Sequence, residues 1–475
     1  MSKIKDTISL GDWVIVKHET DKSLIYNVND ESLLRIANFH CKTYDLIGHT
    51  YGSQFSPVVT GEEPKIEADG TSENKRGKKR KRRGGNAPIL AATLKLVPTV
   101  DISPHSSYLE RKREQLTKEL EEVETKLKNG DNQGDNRNLQ DDHKNQTMGE
   151  EEIETMRGKG VSSDKIVEAL KQNSKTFHQK SDHAQDKYLM NKQKKHSLTI
   201  RVLRCNAQTV GDVLWHRTPL PGTLLGGLRY KDVLPKLLAY GNVHSGARVL
   251  VCDTINGYLL GSVMERLGGK GEAIATYIGP TFPNFSFKNY FNLSDEEKKT
   301  LKKCDLTLLL GDLEGDEHLK VIDAAEERRR KCLAAITDEE KKVVEQEKFA
   351  DWVERKKKDK IHYANQRKNL KMLREEGADS LVMICKWEPQ ITLLKMLPYL
   401  GAGRRFVLYS EYIEPLVRTR ELLEEKKMAI GVRVVDTWLR KYQVLPGRTH
   451  PMMRMNGRGG FLLYGTKVEN NLRKE

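Results

Sequence analysis

The stretch RVLVCDTINGYLLGSVMERLGG, residues 248–269, decides the fold of this chain. Its apolar run Val249-Leu250-Val251 predicts a buried parallel strand, and a turn that contains glycine follows. Apolar residues then recur at helical spacing, which predicts a helix through Leu259, Leu260, Val263, Met264 and Leu267. In doubly wound α/β domains a strand, a turn and a helix in this order form the nucleotide site.

The turn is poor in the glycines that such a site needs. Glycines allow the tight bend and let the backbone N–H groups at the helix start approach the ligand. S-adenosylmethionine-dependent methyltransferases have an acidic or small residue followed by G-x-G-x-G; here Asp253 and Ile255 take the first two glycine places and Gly257 the third. A β-branched Ile disfavours positive φ and adds bulk where an adenosyl group would pass. The stretch predicts a methyltransferase fold without its pocket.

Strand and helix patterns alternate around this stretch, which predicts a parallel twisted sheet that ends in an antiparallel pair. We assign this degenerate Rossmann-like methyltransferase domain to residues 197–475, with a charged, solvated helical insert at about 311–378 to which we assign no chemistry. Its predicted helices include 230–238. The other predicted strands are 198–204, 272–278, 306–310, 380–385, 405–410, 432–438 and 460–467.

Two further positions that a methyltransferase needs for its cofactor or its chemistry also lack the expected residues. After the second strand, where a carboxylate would hold the ribose hydroxyls, EAIATYIGPTFP has nothing acidic between Ala273 and Pro283. At the end of the fourth strand, amino-methylating enzymes carry Asp-x-Pro-x-Pro-Trp, whereas this chain has DSLVMICKWEPQ with Ile384 in the place of the Asp. Three losses together predict a subunit that does not catalyse, with no catalytic and no cofactor-binding residues.

Other chemistries find no support in the sequence. It contains no G-x-S-x-G, H-E-x-x-H or Walker motif and no His/Cys cluster at metal spacing. Cys252 stands on a predicted buried strand, where a lone Cys is a small core residue.

Composition points to a polyanionic partner. The 475 residues suit two or three domains, and 82 Lys and Arg against 67 Asp and Glu give a net charge of +15. The six cysteines are scattered without C-x-x-C pairing, and the N-terminal MSKIKDTISLGD has no apolar segment. We therefore expect nucleic acid as the partner, a reducing compartment, no secretion and no membrane association.

The N-terminal part, residues 1–103, alternates short β-like runs with polar turns and predicts a small antiparallel β-barrel-like domain. Its runs lie at 13–16, 24–26, 33–36, 46–55 and 91–98. An insert at about 61–86 contains KRGKKRKRRGG (75–85), whose dense like charge predicts a disordered loop. That loop could be a nuclear localisation signal, a nucleic-acid clamp or a solvated surface.

Residues 104–196 form a helical and polar linker region. A capping-box spacing at Ser107 opens a helix to about 129 with an apolar strip, and DNQGDNRNLQDDHKNQ (131–146) reads in isolation as a linker. Two short helices at 148–157 and 163–172 follow. They lead to a block with Lys175, Lys180, Lys187, Lys192, Lys194 and Lys195 among Phe177, His178, His183 and Tyr188.

Cations beside aromatic rings are the components of an RNA-binding surface. A solvated helix with a basic end has the same composition, and the residues alone do not separate these alternatives.

Several long blocks resemble one family. GDWVIVK, LIGHTYGSQF, DNRNLQDD, QNSKTFHQKSDHAQDKYLMNKQKK, GYLLGSVMERLGG, DTWLRKYQVLPGRTHPMM and GRGGFLLYGTKV are similar to the non-catalytic subunits of eukaryotic tRNA (adenine-58-N1)-methyltransferase. The resemblance covers nearly the whole length. It implies a β-barrel and a degenerate methyltransferase domain, with no cofactor of its own. It also implies a paralogous catalytic partner that binds S-adenosylmethionine, a two-plus-two heterotetramer, tRNA binding and a nuclear location.

The same resemblance implies the tRNA contacts, and it turns the polar DNRN stretch from a linker into a candidate contact. The chain departs from the family in the helix at 107–129 and in KWEPQ near Lys386. The candidate RNA-binding residues are Asn136, Arg137, Asn138, Thr176, Lys180, Lys187, Arg217, Arg440, Lys441, Arg448 and His450, with Lys192, Lys194 and Lys195 in the same basic block.

Two alternative functions remain open. The chain could be an active S-adenosylmethionine-dependent RNA methyltransferase with a divergent cofactor loop. It could also be a nuclear RNA-binding scaffold in which the basic loop at 75–83 serves import.

Overall fold

The fold is described from a computed structural model. The described residues are 6–18, 22–36, 39–59, 90–97, 145–158, 161, 163–196, 198–278, 282–283, 285–309, 316–334, 339–445, 448–453, 455 and 457–469. The basic insert at 61–86, the helix expected at 107–129 and the candidate contacts Asn136, Arg137 and Asn138 lie outside them. The chain divides into two compact units, Ile4–Arg204 and Cys205–Glu475.

The N-terminal unit is built on a mainly antiparallel sheet. Its strands are β1 (Trp13–His18), β2 (Ser23–Asn27), β3 (Leu33–Ile36), β4 (Phe39–Lys42), β5 (Gln54–Val59), β6 (Leu90–Leu96) and β7 (Ile200–Arg204). The sheet order is β2-β1-β7-β5-β6-β4-β3, in which only the β4–β6 pair is parallel. Alternate residues such as Val14, Val16, Phe55, Ile200 and Val202 face a common buried core.

Strand β7 corrects the sequence-based boundary. The sequence pattern assigns residues 197–204 to the methyltransferase domain, but β7 pairs with β1 and β5 in the middle of the N-terminal sheet. Its alternating pattern, with Ile200 and Val202 buried, fits one face of an antiparallel sheet rather than a strand covered on both faces. The C-terminal unit therefore begins at Cys205.

The described part of the N-terminal unit also has three α-helices: α1 (Glu150–Gly158), α2 (Ser163–Gln172) and α3 (Asp182–His196). The first two match the sequence prediction. Helix α3 carries most of the basic block and packs against α2.

The C-terminal unit has a seven-stranded sheet of order β10-β9-β8-β11-β12-β16-β13. The first five strands are parallel, and β16 runs antiparallel to both β12 and β13, as predicted. The strands are β8 (Arg248–Asp253), β9 (Glu272–Tyr277), β10 (Leu301–Asp305), β11 (Ala378–Ile384), β12 (Leu400–Ser410), β13 (Ala429–Asp436) and β16 (Phe461–Lys467). Between β13 and β16 lies a separate hairpin of β14 (Tyr442–Leu445) and β15 (Arg448–Pro451).

Helices connect the strands of this sheet. They are α4 (Ala207–His216), α5 (Val233–Tyr240), α6 (Tyr258–Leu267), α7 (Asp295–Lys299), α8 (Leu306–Leu309), α9 (Asp316–Ala334), α10 (Glu339–Glu375), α11 (Pro389–Met396) and α12 (Glu414–Glu425). The core on one face of the sheet includes Leu250, Leu381 and Leu408 from three adjacent strands, each fully buried.

The prediction of a strand at 306–310 is wrong. Residues Leu306–Leu309 form helix α8, and the strand is the preceding LKKCD, Leu301–Asp305. Among the described strands, β10 is last in the sheet and pairs with β9, and an edge strand of this kind tolerates lysines.

Candidate functional site

The turn between β8 and α6 is held closed by Asp253. Its Oδ1 accepts hydrogen bonds from the N–H groups of Ile255 (2.7 Å) and Gly257 (3.2 Å), and its Oδ2 accepts one from Leu260 (2.9 Å). Burial raises the pKa of the Asp253 carboxyl, and these backbone donors oppose that shift. Three donors at the start of α6 are thus used within the chain itself.

The structure changes how the turn compares with a glycine-rich one. Asp253 is the last residue of β8, so it occupies the place of the acidic residue before the glycines rather than the first glycine place. The three glycine places then fall on Ile255, Gly257 and Leu259. In this turn the residues with positive φ are Asn256 (56°) and Gly257 (85°). The backbone of Ile255 is therefore not strained, and Ile255 affects the site through the volume of its side chain.

The turn does not fit a bound adenosyl group, because side chains already fill it on two sides. Ile255 is 1% exposed, and its Cγ2 lies 3.3 Å from the point where a Cβ on Gly226 would be. On the other side, a Cβ on Gly257 would collide with Phe285, and the N–H of Phe287 donates to the carbonyl of Asn256 (3.1 Å).

The ends of the neighbouring strands also lack the expected groups. Strand β9 ends at Tyr277, whose hydroxyl accepts a hydrogen bond from Gln366 Nε2 (2.6 Å), and the described residues that follow, Ile278, Phe282 and Pro283, carry no carboxylate. Strand β11 ends at Ile384, which pairs with Asp253 in register and is 3% exposed. An apolar side chain there can neither accept a proton nor orient an amine.

The basic block of the N-terminal unit is ordered around Tyr188. Lys180 Nζ and Lys192 Nζ each lie 5.2 Å from the centroid of the Tyr188 ring, and that ring packs at 5.5 Å from the buried Phe177. Burial, with Lys195 and Lys180 nearby, lowers the pKa of Lys192. Cations gathered on an aromatic ring repel one another, and a phosphate placed among them would relieve that repulsion.

Backbone pairing ties this block to the end of the polar segment before α1. The N–H of Lys175 donates to the carbonyl of Asn145 (3.0 Å), and the N–H of Thr147 donates to that of Asn173 (3.2 Å). The Tyr188 hydroxyl donates to Gln146 Oε1 at 3.4 Å. Residues 145–147, which close the DNRN-containing segment, therefore lie directly beside the basic block.

A second group of candidate residues lies in the C-terminal unit. Arg217 is exposed at the end of α4, next to His216; burial lowers the pKa of His216, and Lys441 and Lys231 act in the same direction against Asp212. Hairpin β14–β15 places His450 opposite Gln443 and Arg448 opposite Leu445. Lys441 is thus close to His216, the chain neighbour of Arg217, and Arg440 is exposed beside Lys441.

Arg229 anchors the segment that carries this hairpin. It forms a two-pronged ion pair with Asp232 (2.6 and 2.7 Å) and donates to the carbonyls of Thr437 (3.0 Å) and Arg458 (2.8 Å). Arg229 is 7% exposed, so these bonds are shielded from water. They fix both ends of the segment between β13 and β16.

We expect Arg229→Ala to lower the free energy of unfolding of the C-terminal unit by about 3 to 5 kcal/mol, because it leaves a shielded carboxylate and two carbonyls without their donor. Urea denaturation followed by circular dichroism measures the change. The control is Arg404→Ala, which removes an exposed ion pair with Asp379 (3.1 Å) and should cost about 0.5 kcal/mol. Equal effects of the two variants would contradict the anchoring role.

The structure therefore places the candidate residues in two groups, one in each unit. Thr176, Lys180, Lys187, Lys192, Lys194 and Lys195 belong to the N-terminal group, and Arg217, Arg440, Lys441, Arg448 and His450 to the C-terminal group. Sequence reasoning missed Lys171, whose Nζ lies 5.5 Å from the Phe177 ring, and Lys231. Lys171 lies at helical spacing just before the basic block, and that spacing could have identified it. No sequence pattern around Lys231 indicated a role.

The described residues show neither a metal-binding cluster nor a membrane-spanning helix. Among the described residues, no three His, Cys, Asp or Glu side chains are grouped so as to hold a metal ion. None of the described helices has both the length and the apolar character needed to cross a membrane. The six cysteines are free thiols.

Comparison with known families places the chain. The sequence model of the Gcd10p family matches residues 7–342, more than half of the length. The chain belongs to the Gcd10p family. Relatives of this Gcd10p-family chain support the same assignment over most of its length.

Three relatives are named tRNA (adenine(58)-N(1))-methyltransferase non-catalytic subunit. The protein from Dictyostelium discoideum is 32% identical over 369 residues, 74% of this chain and 68% of that protein. The protein from Mus musculus is 32% identical over 404 residues, 76% of this chain and 79% of that one. The protein from Schizosaccharomyces pombe is 27% identical over 393 residues, 74% and 79% of the two chains.

Two solved structures show a distant likeness. A SAM-dependent O-methyltransferase from Thermotoga maritima aligns with a TM-score of 0.43 and 9% identity, covering 99% of this chain and 98% of that one. The tRNA (m1A58) methyltransferase TrmI from Aquifex aeolicus aligns with a TM-score of 0.39 and 11% identity, covering 98% and 100%. The fold of this Gcd10p-family chain rests on its own strand order, five parallel strands followed by an antiparallel pair.

Proposed function

We propose that this chain is the tRNA-binding, non-catalytic subunit of a tRNA (adenine(58)-N(1))-methyltransferase. Membership of the Gcd10p family and the names of its relatives support this role. The observation that carries it is the filled turn: Ile255 is buried against Gly226, and Phe285 fills the space beside Gly257. A chain with this turn holds RNA and leaves the methyl donor to another subunit.

The partner in this proposal is a catalytic subunit that binds S-adenosylmethionine. The two chains assemble as a two-plus-two heterotetramer in the nucleus, and the basic segment at 75–83 directs import. The net charge of +15 supports a polyanionic ligand such as tRNA.

Each of the two units carries one group of candidate RNA contacts. In the N-terminal group, the lysines around Tyr188 would contact phosphates, which sets position rather than sequence. The C-terminal group adds a second set of candidate contacts: Arg217, Arg440, Lys441, Arg448 and His450. Asn136, Arg137 and Asn138 add amide and guanidinium groups that can bond 2′-hydroxyls and base edges.

Reconstitution tests the proposal. The chain is co-expressed with the candidate catalytic subunit, and methyl transfer to a defined tRNA is measured for each subunit alone and for the pair. We expect transfer only by the pair. The chain alone should bind S-adenosylmethionine more weakly than about 1 mM in a calorimetric titration, because its turn is filled. Tight binding of the donor, or transfer by this chain alone, would identify it instead as an active methyltransferase.

A further inference from the structure

The long helix α10 is anchored to the sheet by residues near its C-terminal end. Gln366, 2% exposed, donates to the Tyr277 hydroxyl (2.6 Å) and accepts from the N–H of Asp305 (3.3 Å). Asn369 Nδ2 donates to the carbonyl of Lys303 (2.9 Å), and Leu373 is buried in the core. These last turns supply the crossover from β10 to β11 that the parallel sheet requires.

The rest of α10 is longer than any crossover needs. Residues 339–363 precede the anchored turns and extend for about 37 Å at the helical rise. Helix α9 runs along this part: Lys360 Nζ pairs with Asp323 (2.7 Å) and Glu326 (3.2 Å), and the Arg329 guanidinium lies 5.0 Å from the Trp352 ring. We call α9 and α10 together the helical arm. These contacts between α9 and α10 stabilise the arm.

The charge of the arm is unevenly distributed. Residues 355–374 of α10 contain nine Lys or Arg and a single acidic residue, Asp359. Within the arm, Lys360 forms the pairs described above, and Lys371 pairs with Glu375 (3.8 Å). A helix whose only role is to stay solvated would carry both signs interspersed.

Part of this charge forms one exposed face. Positions 357, 361, 364, 368 and 371 recur at helical spacing and are all exposed. Three of them are lysines, and among the described residues neither Lys357 nor Lys368 has an acidic partner. These two lie about 16 Å apart along the helix.

The composition of this face favours nucleic acid over protein as its ligand. Protein interfaces are depleted in Lys and enriched in aromatic residues, whereas this face has lysines with Ile361 and Ala364 between them. The aromatic pair Phe349 and Trp352 is half-buried and stacked, at 6.2 Å between ring centroids. Lysines spaced along a rigid helix match the repeating negative charge of a phosphate backbone.

We propose that the basic face of the helical arm, centred on Lys357 and Lys368, is an additional RNA-binding site that contacts the phosphate backbone of the bound tRNA. This inference rests on the proposed function, because it assigns a further contact to the same ligand. The arm contributes affinity that depends on salt and not on base sequence.

The test measures the affinity of the full chain for a tRNA transcript by fluorescence anisotropy at several salt concentrations. The variant Lys357→Ala/Lys368→Ala should bind about tenfold more weakly at 0.15 M salt, and its plot of log affinity against log salt should be shallower by about 1.5 to 2. The charge-conserving Lys357→Arg/Lys368→Arg variant should retain the affinity. The control Lys395→Ala/Lys426→Ala removes two exposed lysines elsewhere in the C-terminal unit and should change neither quantity.

The outcomes separate this inference from the proposed function. If the alanine variant binds tRNA with unchanged affinity and salt slope while charge reversal in the basic block around Tyr188 weakens binding, the arm site is wrong and the proposed function stands. If the intact chain has no measurable affinity for tRNA, both are wrong. An equal loss in the Lys395/Lys426 control would also overturn the arm site, since the effect would then be one of net charge.

Discussion

Charge reversal by Lys180→Glu/Lys187→Glu is expected to lower the affinity of the chain for tRNA by about a hundredfold or more at 0.15 M salt, since each lost phosphate contact costs several-fold and the new carboxylates repel the backbone. Lys180 lies beside Tyr188 and Lys192, so a carboxylate there also disturbs the local cluster of cations. Methylation by the reconstituted pair should fall in parallel at low tRNA concentration. Filter binding and a methyl-transfer assay measure the two effects.

A matched variant excludes a general effect of charge. Lys42→Glu/Lys95→Glu reverses two exposed lysines on β4 and β6 of the same unit and should reduce affinity only slightly. Assembly with the catalytic partner, followed by co-purification, should be intact in both double variants. Unchanged tRNA binding by the Lys180/Lys187 variant would remove the basic block from the RNA surface.

The second large effect concerns the closed turn. Asp253→Ala is expected to lower the free energy of unfolding of the C-terminal unit by about 3 kcal/mol or more, because the buried N–H groups of Ile255, Gly257 and Leu260 lose their acceptor. Asp253→Asn should cost less, because its amide oxygen can still accept some of these bonds. Chemical denaturation monitored by circular dichroism measures both changes.

The control for this variant is Asp295→Ala. Its side chain is 91% exposed and pairs with Lys298 at 3.2 Å, so its loss should change the free energy of unfolding by about 0.5 kcal/mol. If Asp253→Ala were as mild as this control, the carboxylate would not hold the turn closed. The filled site would then depend on Ile255 and Phe285 alone.

The sequence was most informative where one residue pattern satisfied one structural requirement. The run from Val249 to Leu267 predicted β8, its turn and α6, because apolar residues recur with a different period in a buried strand and in an amphipathic helix. The same reasoning failed at Leu306–Leu309, where buried leucines belong to a short helix and the lysine-rich edge strand lies before them. A strand at the edge of a sheet needs few apolar residues, so a hydrophobic pattern does not predict it.

The candidate site was predictable in type but not in arrangement. Composition showed cations and rings between 175 and 195, yet only the structure shows Lys180 and Lys192 sharing the ring of Tyr188. Arg229 could not have been identified in advance, because its acceptors at Thr437 and Arg458 are more than two hundred residues away. Long-range partners of this kind leave no local pattern.

The position of β7 in the middle of the N-terminal sheet sets the shortest fragment that can fold. Without residues 200–204, β1 would have no partner on the side away from β2, and β5 none on the side away from β6. Such open strands pair readily with other molecules and aggregate. On the ribosome this sheet cannot close until more than two hundred residues have emerged, and any truncated version for expression must extend through Arg204.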